Sequence, residues 1–256
     1  MVEYWKETFA STWAIFKSNL NIIITYASLL LVVRIIMFLI QTNLEVYQID
    51  LLFRIIDFGL TIGFLNVLYL LVNNKSVSIQ DLGNGLYYLL KISVPYLLII
   101  IPGLIFFYIQ NSDFIFKMDN FIFMSTENPN SELGIGGLIL STAFLIAIIY
   151  PLFFYPIIII DQNLTVLDSV KKSMHIVKNN IGKIIQLLFI SFVILLSFGL
   201  IVGPLLLSLN YIVMKGIIVE AVGLCLISPI LYILYIKLYI DCLNSFSKPE
   251  VYESSS

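Results

Sequence analysis

The 256-residue sequence contains little charge, two cysteines and one histidine. Charged residues make up 12% and hydrophobic residues 60%, against roughly 25% and 45–50% in soluble domains. The low charge excludes a disordered chain, and the net charge of −2 indicates no nucleic-acid partner. Cys225 and Cys242 form no CxxC pair, so we interpret them as small apolar residues rather than a disulfide or metal framework.

Motifs for common enzyme chemistry are also missing. There is no Walker sequence, no G-x-S-x-G and no H-E-x-x-H. His175 lies among lysines, where we interpret it as a solvated residue rather than a ligand. Because catalysis needs converging acid, base or nucleophile, the sequence predicts no catalytic residue, no metal and no cofactor.

Long apolar runs are what the sequence has in abundance. Crossing the hydrocarbon layer as a helix takes about 20 residues, and only helices satisfy the backbone of such runs in lipid. The sequence therefore predicts an all-α, polytopic membrane protein with six spans and interfacial amphipathic helices. The predicted spans are Leu20–Gln41, Ile49–Val72, Ile92–Ile109, Leu133–Ile160, Ile181–Leu209 and Ile212–Ile240.

Loop charges predict the orientation of these spans. Ten of the 14 basic residues lie in the segments that six spans would place on one side, together with both termini. The positive-inside rule then puts the N- and C-termini in the cytoplasm and the protein in the cytoplasmic membrane. Residues 1–248 are predicted to form a single membrane domain, and residues 249–256 a disordered tail.

Parts of the sequence recur. Ile15, Lys17, Asn19, Ile23 and Ile24 match Ile176, Lys178, Asn180, Ile184 and Ile185 at constant offset, and a weaker copy places Asp81, Lys91 and Ser93 at Asp168, Lys178 and Asn180. The pattern predicts a three-fold internal repeat over about residues 1–75, 76–163 and 164–245. Each unit would hold a cytoplasmic helix, a Lys-x-Asn/Ser corner and two spans.

The helices that lead into the spans are predicted to be amphipathic and to lie in the membrane interface. Their candidate interface residues are Trp5, Phe9, Trp13, Phe16 and Lys17 in the first, and Lys171, Lys172 and Lys178 in the last. Apolar residues would face inward and lysines would lie near anionic headgroups. Two interpretations remain open: lipid sensing or partner docking, and a surface elbow that steers the chain into the next span.

Four charged residues fall within or close to predicted spans. Arg34 and Asp57 are predicted at similar depth on neighbouring antiparallel helices, where they would form an ion pair. Arg54 and Glu220 complete a candidate polar cluster in the outer half of the bundle. The cluster is either a ligand or ion site or a structural pair that fixes helix register.

Two Gly-x-x-x-Gly patterns, Gly59–Gly63 and Gly199–Gly203, permit close helix approach. Because the pattern is common in membrane spans, we expect packing within the chain rather than a dimer face.

Several short motifs together resemble a known group. They are Phe16-Lys17-x-Asn19, Gly63-Phe-Leu-Asn with Val77-Ser-Ile-Gln-Asp-Leu, Ile101-Pro-Gly103, Asp168-Ser-Val-Lys-Lys-Ser with Lys178-Asn-Asn, and Pro229-x-x-Tyr232-x-x-Tyr235. The chain resembles uncharacterised bacterial six-span proteins related to the membrane domain of glycerophosphoryl diester phosphodiesterases. The catalytic domain of those enzymes is absent here, so the resemblance implies a fold and not that activity.

The sequence thus predicts a non-enzymatic membrane protein that binds a lipid, an amphipathic peptide or a protein partner, in a membrane-stress, toxin-immunity or transporter-associated role. The first alternative is a small transporter or channel with a polar path through Arg34, Asp57 and Glu220. The second is a lipid-processing membrane enzyme.

Overall fold

The computed structural model describes residues 2–44, 47–110, 151–207, 219 and 221–247. Within these residues the regular structure is helical and contains no strand, as the all-α prediction requires. The helices are α1 (Val2–Ser18), α2 (Leu20–Leu44), α3 (Tyr47–Val72), α4 (Ile79–Gln110), α5 (Tyr155–Gln162), α6 (Val166–Leu207) and α7 (Ser228–Ser247), with a π-helical turn at Gly223–Ile227.

Four segments of the described residues are long and apolar enough to cross a membrane. They are Leu20–Met37, Leu52–Val72, Val166–Val202 and Gly223–Ser245. These overlap the predicted first, second, fifth and sixth spans. The predicted third span lies on α4, described by backbone alone from residue 96, and most of the predicted fourth span lies outside the described residues.

Asparagines break the helices at two of the three predicted corners. Asn19 separates α1 from α2, and its side-chain Nδ2 donates to the carbonyl of Ile15 at 3.0 Å. Asn180 has non-helical φ and ψ of −127° and 21° within α6. Asparagine favours such breaks because its amide competes for backbone hydrogen bonds. The predicted break at the third corner is wrong, because α4 continues through Ser93. The short side chain of Ser93 donates to Leu90 O at 3.2 Å.

The two segments with an asparagine break bury corresponding residues. The matching buried pairs are Thr8 with Ser169, Thr12 with Ser173, Phe16 with Val177 and Ile23 with Ile184. Thr8 Oγ1 donates to Tyr4 O and Ser169 Oγ to Thr165 O, both at 2.8 Å. Each lead-in helix therefore packs a hydroxyl-bearing face inward.

The helices α4 and α6 begin with the same kind of cap. Asp81 Oδ2 accepts from the backbone N–H and Oγ of Ser78 at 2.7 and 2.9 Å. Asp168 Oδ2 accepts from Thr165 Oγ1 at 2.6 Å, and Asp168 N–H donates to Thr165 Oγ1 at 3.3 Å. A hydroxyl residue followed three positions later by an acid satisfies amide groups that a helix start leaves open.

Asparagines with a left-handed backbone conformation end the two helices that precede these caps. Asn74 follows α3 with φ of 53°, and Asn163 follows α5 with φ of 48°. Asn163 N–H donates to Ile159 O at 3.0 Å, which closes the end of α5. Asparagine tolerates this conformation better than most residues with a side chain.

The predicted close packing within the chain at Gly59–Gly63 is confirmed. A methyl group on Gly63 would collide with the backbone of Leu82, and one on Gly85 would collide with the backbones of Gly59 and Gly63. Helices α3 and α4 therefore cross backbone against backbone. By contrast, a methyl group on Gly199 meets nothing within 4 Å among the described residues.

Prolines account for two local irregularities. A bend at Phe153 and Phe154 interrupts the helical hydrogen bonding just before α5, which has Pro156 in its first turn. The π-helical turn Gly223–Ile227 precedes Pro229, and Ser228 N–H donates to Gly223 O. Such adjustments re-satisfy backbone groups that proline leaves open in a membrane helix.

The chain divides into two compact units. One comprises Met1–Leu89 with Lys178–Ser256, and the other comprises Leu90–Val177. In the first unit, α1 packs against α7 and α3 packs against the start of α4. In the second unit, Phe154 N–H donates to Ser173 Oγ of α6 at 3.1 Å, and Phe154, Tyr155 and Ile157 are fully buried.

Candidate functional site

The predicted Arg34–Asp57 ion pair is present. Arg34 Nε donates to Asp57 Oδ1, and Arg34 Nη2 donates to Asp57 Oδ2 at 3.1 Å. Thr61 Oγ1, one turn beyond Asp57, accepts from Arg34 Nη2 at 3.2 Å and donates to Asp57 O at 2.9 Å. The pairing is bidentate and fixes α2 against α3. Both residues lie in candidate spans, and their side chains are 22% and 36% exposed.

The rest of the candidate polar cluster differs from this pair. Tyr232 of α7, absent from the predicted cluster, lies within electrostatic range of both Arg34 and Asp57, and its ring meets Phe64 edge to face. Arg54 is exposed on α3. Glu220 lies outside the described residues. Of the four, Arg34 and Asp57 form an ion pair, and a binding role for the cluster stays a prediction.

The four aromatic residues predicted for the interface lie in different surroundings. Trp5 and Phe16 are buried, Phe9 is half-buried and Trp13 is 57% exposed. Trp5 Nε1 donates to Gln186 Oε1 of α6 at 2.6 Å, so the indole has a tertiary partner. The inward face of α1 runs along Trp5, Thr8, Thr12 and Phe16 instead of through all four aromatics, because Trp13 lies at the exposed edge of that face, where it stacks on Phe16.

Tyr4 connects α1 to helices α6 and α7. Its hydroxyl donates to Asp241 Oδ2 of α7 at 2.9 Å, and Lys183 Nζ of α6 lies 5.2 Å from its ring centroid. Burial, followed by the hydrogen bond and the negative charge of Asp241, raises the pKa of Tyr4. These contacts hold the N-terminal helix in a fixed place.

The lysines predicted for the interface are mostly exposed. Lys17, Lys171 and Lys178 are exposed, whereas Lys172 is half-buried and donates from Nζ to Gln162 Oε1 at 2.6 Å. Exposed Lys171 lies between Leu167 and Met174, which are 63% and 40% exposed. The three residues follow one another at helical spacing and share one face.

The sequence did not predict a cluster of polar side chains that lies at the end of α5. Lys91 Nζ donates to Asn163 Oδ1 at 2.6 Å, next to the Lys172–Gln162 bond, and Gln162 Nε2 donates to Asp161 Oδ2 at 3.1 Å. Lys91 and Lys172 are far apart in sequence, and no short-range pattern joins them. The polar residues directly after the predicted fourth span, Asp161 to Asn163, were the available signal.

An open groove of about 350 Å³ lies along the first half of α2. Its surface is almost wholly apolar, and because α2 contains a candidate span, lipid hydrocarbon is its natural surrounding. It is lined by Thr25, Tyr26, Ser28, Leu29, Val32 and Ile79.

Comparisons with known proteins give no identity for the chain. No family model, no curated protein and no solved structure matches it. Within the described part of the chain, no three residues of the His, Cys, Asp and Glu types converge as metal ligands would. A proposal for the function therefore depends on the geometry of the side chains.

Proposed function

We propose that the chain is a six-span protein of the cytoplasmic membrane, built from three repeat units, with both termini in the cytoplasm. Matching caps at Ser78 and Thr165 and matching breaks at Asn19 and Asn180 support the repeat. The packing of the helices supports it as well. The last helix of each unit contacts the lead-in helix of a unit: α3 contacts α4, α5 contacts α6, and α7 contacts α1. The resemblance to the phosphodiesterase-related membrane domain implies the same architecture.

The function that the geometry supports best is non-enzymatic binding of anionic phospholipid at the lead-in helices. One observation carries it. The exposed face of α6 alternates Leu167, Lys171 and Met174, while the opposite face is fixed by fully buried Ser169 and Ser173. Apolar and cationic side chains on one exposed face fit the boundary between acyl chains and headgroups.

The lead-in helix α1 supports the same function. Exposed Trp13 stacks on Phe16 with ring centroids 5.5 Å apart, and exposed Lys17 lies one turn further. Tryptophan prefers the interfacial depth, and each lysine near an anionic surface contributes about 1 kcal/mol to attraction. Because both helices are held by tertiary contacts, these groups are presented in fixed positions.

Native mass spectrometry of the delipidated protein tests this function. We expect the protein to bind phosphatidylglycerol more tightly than phosphatidylcholine, and K17Q/K171Q/K178Q to lose most of that preference. Equal affinity of the unaltered protein for the two lipids would contradict the function. A co-purifying polypeptide that binds the same face without lipid would instead favour an amphipathic peptide or protein partner.

A transporter or channel is the second candidate, favoured by a partly exposed ion pair inside two candidate spans. If Arg34 and Asp57 line a path, Arg34→Ala and Asp57→Ala should abolish substrate flux in liposomes while the protein stays folded. If the swap of Arg34→Asp with Asp57→Arg restores folding and the unaltered protein shows no flux, the pair is structural.

A further inference from the structure

The groove along the first half of α2 has no part in the proposed function. Its volume of about 350 Å³ falls within the range of roughly 300–1,000 Å³ that is usual for small-molecule sites. Five of its lining residues lie between Thr25 and Val32 of α2, and the sixth is Ile79, the first residue of α4. Tyr26 also lies within electrostatic range of Asp81, so a second interaction places the start of α4 beside α2. All of these residues belong to the same compact unit.

The surface of the groove is almost entirely apolar, although three of its lining residues, Thr25, Tyr26 and Ser28, carry hydroxyl groups. The hydroxyl of Thr25 donates to Asn21 O of its own helix at 2.7 Å. A ligand in the groove therefore meets apolar atoms rather than hydrogen-bond partners. Because water and polar groups lose hydrogen bonds in such surroundings, hydrocarbon is the chemistry that fits the groove.

The groove lies at the depth that acyl chains occupy in a membrane. Thr25 and Val32 are about 8 and 18 Å from the start of the candidate span Leu20–Met37, and the hydrocarbon layer is about 30 Å thick. Of this span, 22% is buried within the chain, against 56% of Leu52–Val72. Val32 itself is 52% exposed. The groove is therefore continuous with a surface of α2 that is open to lipid, and an acyl chain can enter it from the side.

Both walls of the groove are fixed to α3. On one side, Arg34, two residues beyond Val32, forms its bidentate pair with Asp57. On the other, the backbone of α4 at Leu82, three residues after Ile79, packs directly against Gly63 of α3. Because each wall has its own attachment, the groove keeps its shape without a ligand, and less ordering is needed when a chain binds.

Packing, rather than the hydrophobic effect, is what would retain a chain in this groove. Lipid tails are as apolar as the groove, so a bound chain gains little by leaving the surrounding lipid. Contact with rigid walls gives an additional attraction, since many small dispersion contacts add up. Thr25, Val32 and Ile79 are β-branched and therefore have few rotamers, which makes the walls stiff.

We propose that this groove binds one acyl chain of a membrane phospholipid, between α2 and Ile79 at the start of α4. The proposed function concerns the charge of the headgroup at the lead-in helices. The groove contacts the hydrocarbon chain instead, so this site goes beyond that function and does not depend on it. Phosphatidylglycerol and phosphatidylcholine with the same chains therefore occupy the groove equally well.

Photocrosslinking of the full chain tests the site, with phosphatidylglycerol or phosphatidylcholine that carries a diazirine on one acyl chain as the probe. The protein in mild detergent is washed to remove loosely held lipid, then illuminated and digested. We expect both lipids to attach to the peptides that contain Thr25–Val32 and Ile79. Crosslinks spread evenly over the exposed residues of all the candidate spans would overturn the proposal.

Two double variants of α2 separate the groove from the rest of its exposed surface. S28F/V32F places two rings in the groove and should lower the crosslink yield about tenfold, because they occupy the space of the chain. The matched control I24F/I36F adds phenylalanine at two exposed positions outside the lining and should change the yield less than about twofold. Equal losses in the two variants would overturn the proposal. If S28F/V32F fails to fold, the positions of the crosslinks in the unaltered protein decide.

Other occupants and the proposed function are distinguished by the same measurements. A free fatty acid with the same diazirine chain that labels the groove more strongly than either phospholipid would overturn the phospholipid assignment. A dimer of the unaltered protein that S28F/V32F abolishes, with no lipid attached in the groove, would assign the groove to a second copy and overturn the proposal. If phosphatidylglycerol is preferred overall but the groove is not labelled, this proposal alone fails. If both lipids label the groove and neither is preferred overall, the proposed function fails and this site stands.

Discussion

Arg34 and Asp57 join α2 to α3 through a bidentate ion pair inside two candidate spans. Counting residues from the span ends placed the two charges at similar depth on neighbouring helices, and the bidentate pair follows. The sequence did not show that Thr61 also accepts from Arg34, or that Tyr232 lies near the pair, because these depend on how α2 and α7 each pack against α3. Lys91 and Asn163 were missed for the same reason.

Removing one partner of the ion pair should destabilise the protein. Arg34→Gln or Asp57→Asn leaves one charge in a span without its opposite, which we expect to cost about 2 kcal/mol, less than for a fully buried pair because both side chains are partly exposed. Lys75→Gln, which removes an exposed cation just after α3, is the control and should cost less. Unfolding in mixed micelles measures the difference. Single variants as stable as the unaltered protein would show that the pair does not fix the helices.

Tyr4 predicts a specific pH dependence of stability. Its pKa is raised above the ordinary value of 10.0, so the folded state holds the phenol proton more tightly than the unfolded state. The stability that this provides is present below about pH 10 and lost as the pH rises above it. We expect Tyr4→Phe to lower stability by about 1 kcal/mol at pH 8, through loss of the Asp241 hydrogen bond, and the gap to close toward pH 11. A gap that stays constant with pH would exclude titration of Tyr4. Thermal unfolding from pH 8 to 11 measures it.

At the scale of helices, the sequence predicted where helices break better than it predicted which helix face is buried. Asparagine competes for backbone hydrogen bonds wherever it lies, so the corners at Asn19 and Asn180 follow from local chemistry. The serine hydroxyl competes less strongly for backbone hydrogen bonds, and α4 continues through Ser93. The inward face of α1 includes Thr8 and Thr12 and excludes Trp13, which periodicity of apolar residues alone could not predict because lipid and core both accept tryptophan.

The crossing of α3 and α4 depends on glycine at a few positions. Gly85→Ala would place a methyl group against the backbones of Gly59 and Gly63, where no side-chain rotation relieves the collision. We expect a loss of about 3 kcal/mol or failure to fold. Gly83→Ala, two residues earlier on α4 and with nothing within 4 Å, should be neutral or stabilise by up to about 1 kcal/mol. Equal effects of the two substitutions in unfolding experiments would contradict the crossing.

At the scale of the whole molecule, the charge distribution makes the topology testable. With Cys225 and Cys242 replaced by alanine, we expect cysteine at Glu3 and at Ser76 to react with an impermeant maleimide from the cytoplasmic side alone. Cysteine at Glu45, in the predicted outer loop, should react from the opposite side. Labelling of residues 3 and 76 from different sides would exclude the proposed arrangement of spans and the cytoplasmic placement of the lysines.

We propose that a lead-in helix exposes a surface that selects anionic phospholipid, and Trp13 of α1 reports directly on this claim. In the Trp5→Phe variant, Trp13 is the remaining tryptophan of the chain. Its fluorescence can be measured in liposomes that contain brominated phosphatidylglycerol or brominated phosphatidylcholine. We predict strong quenching by shallow bromines, and stronger quenching by phosphatidylglycerol than by phosphatidylcholine at equal mole fraction. No quenching, or the same quenching by both lipids, would contradict the claim.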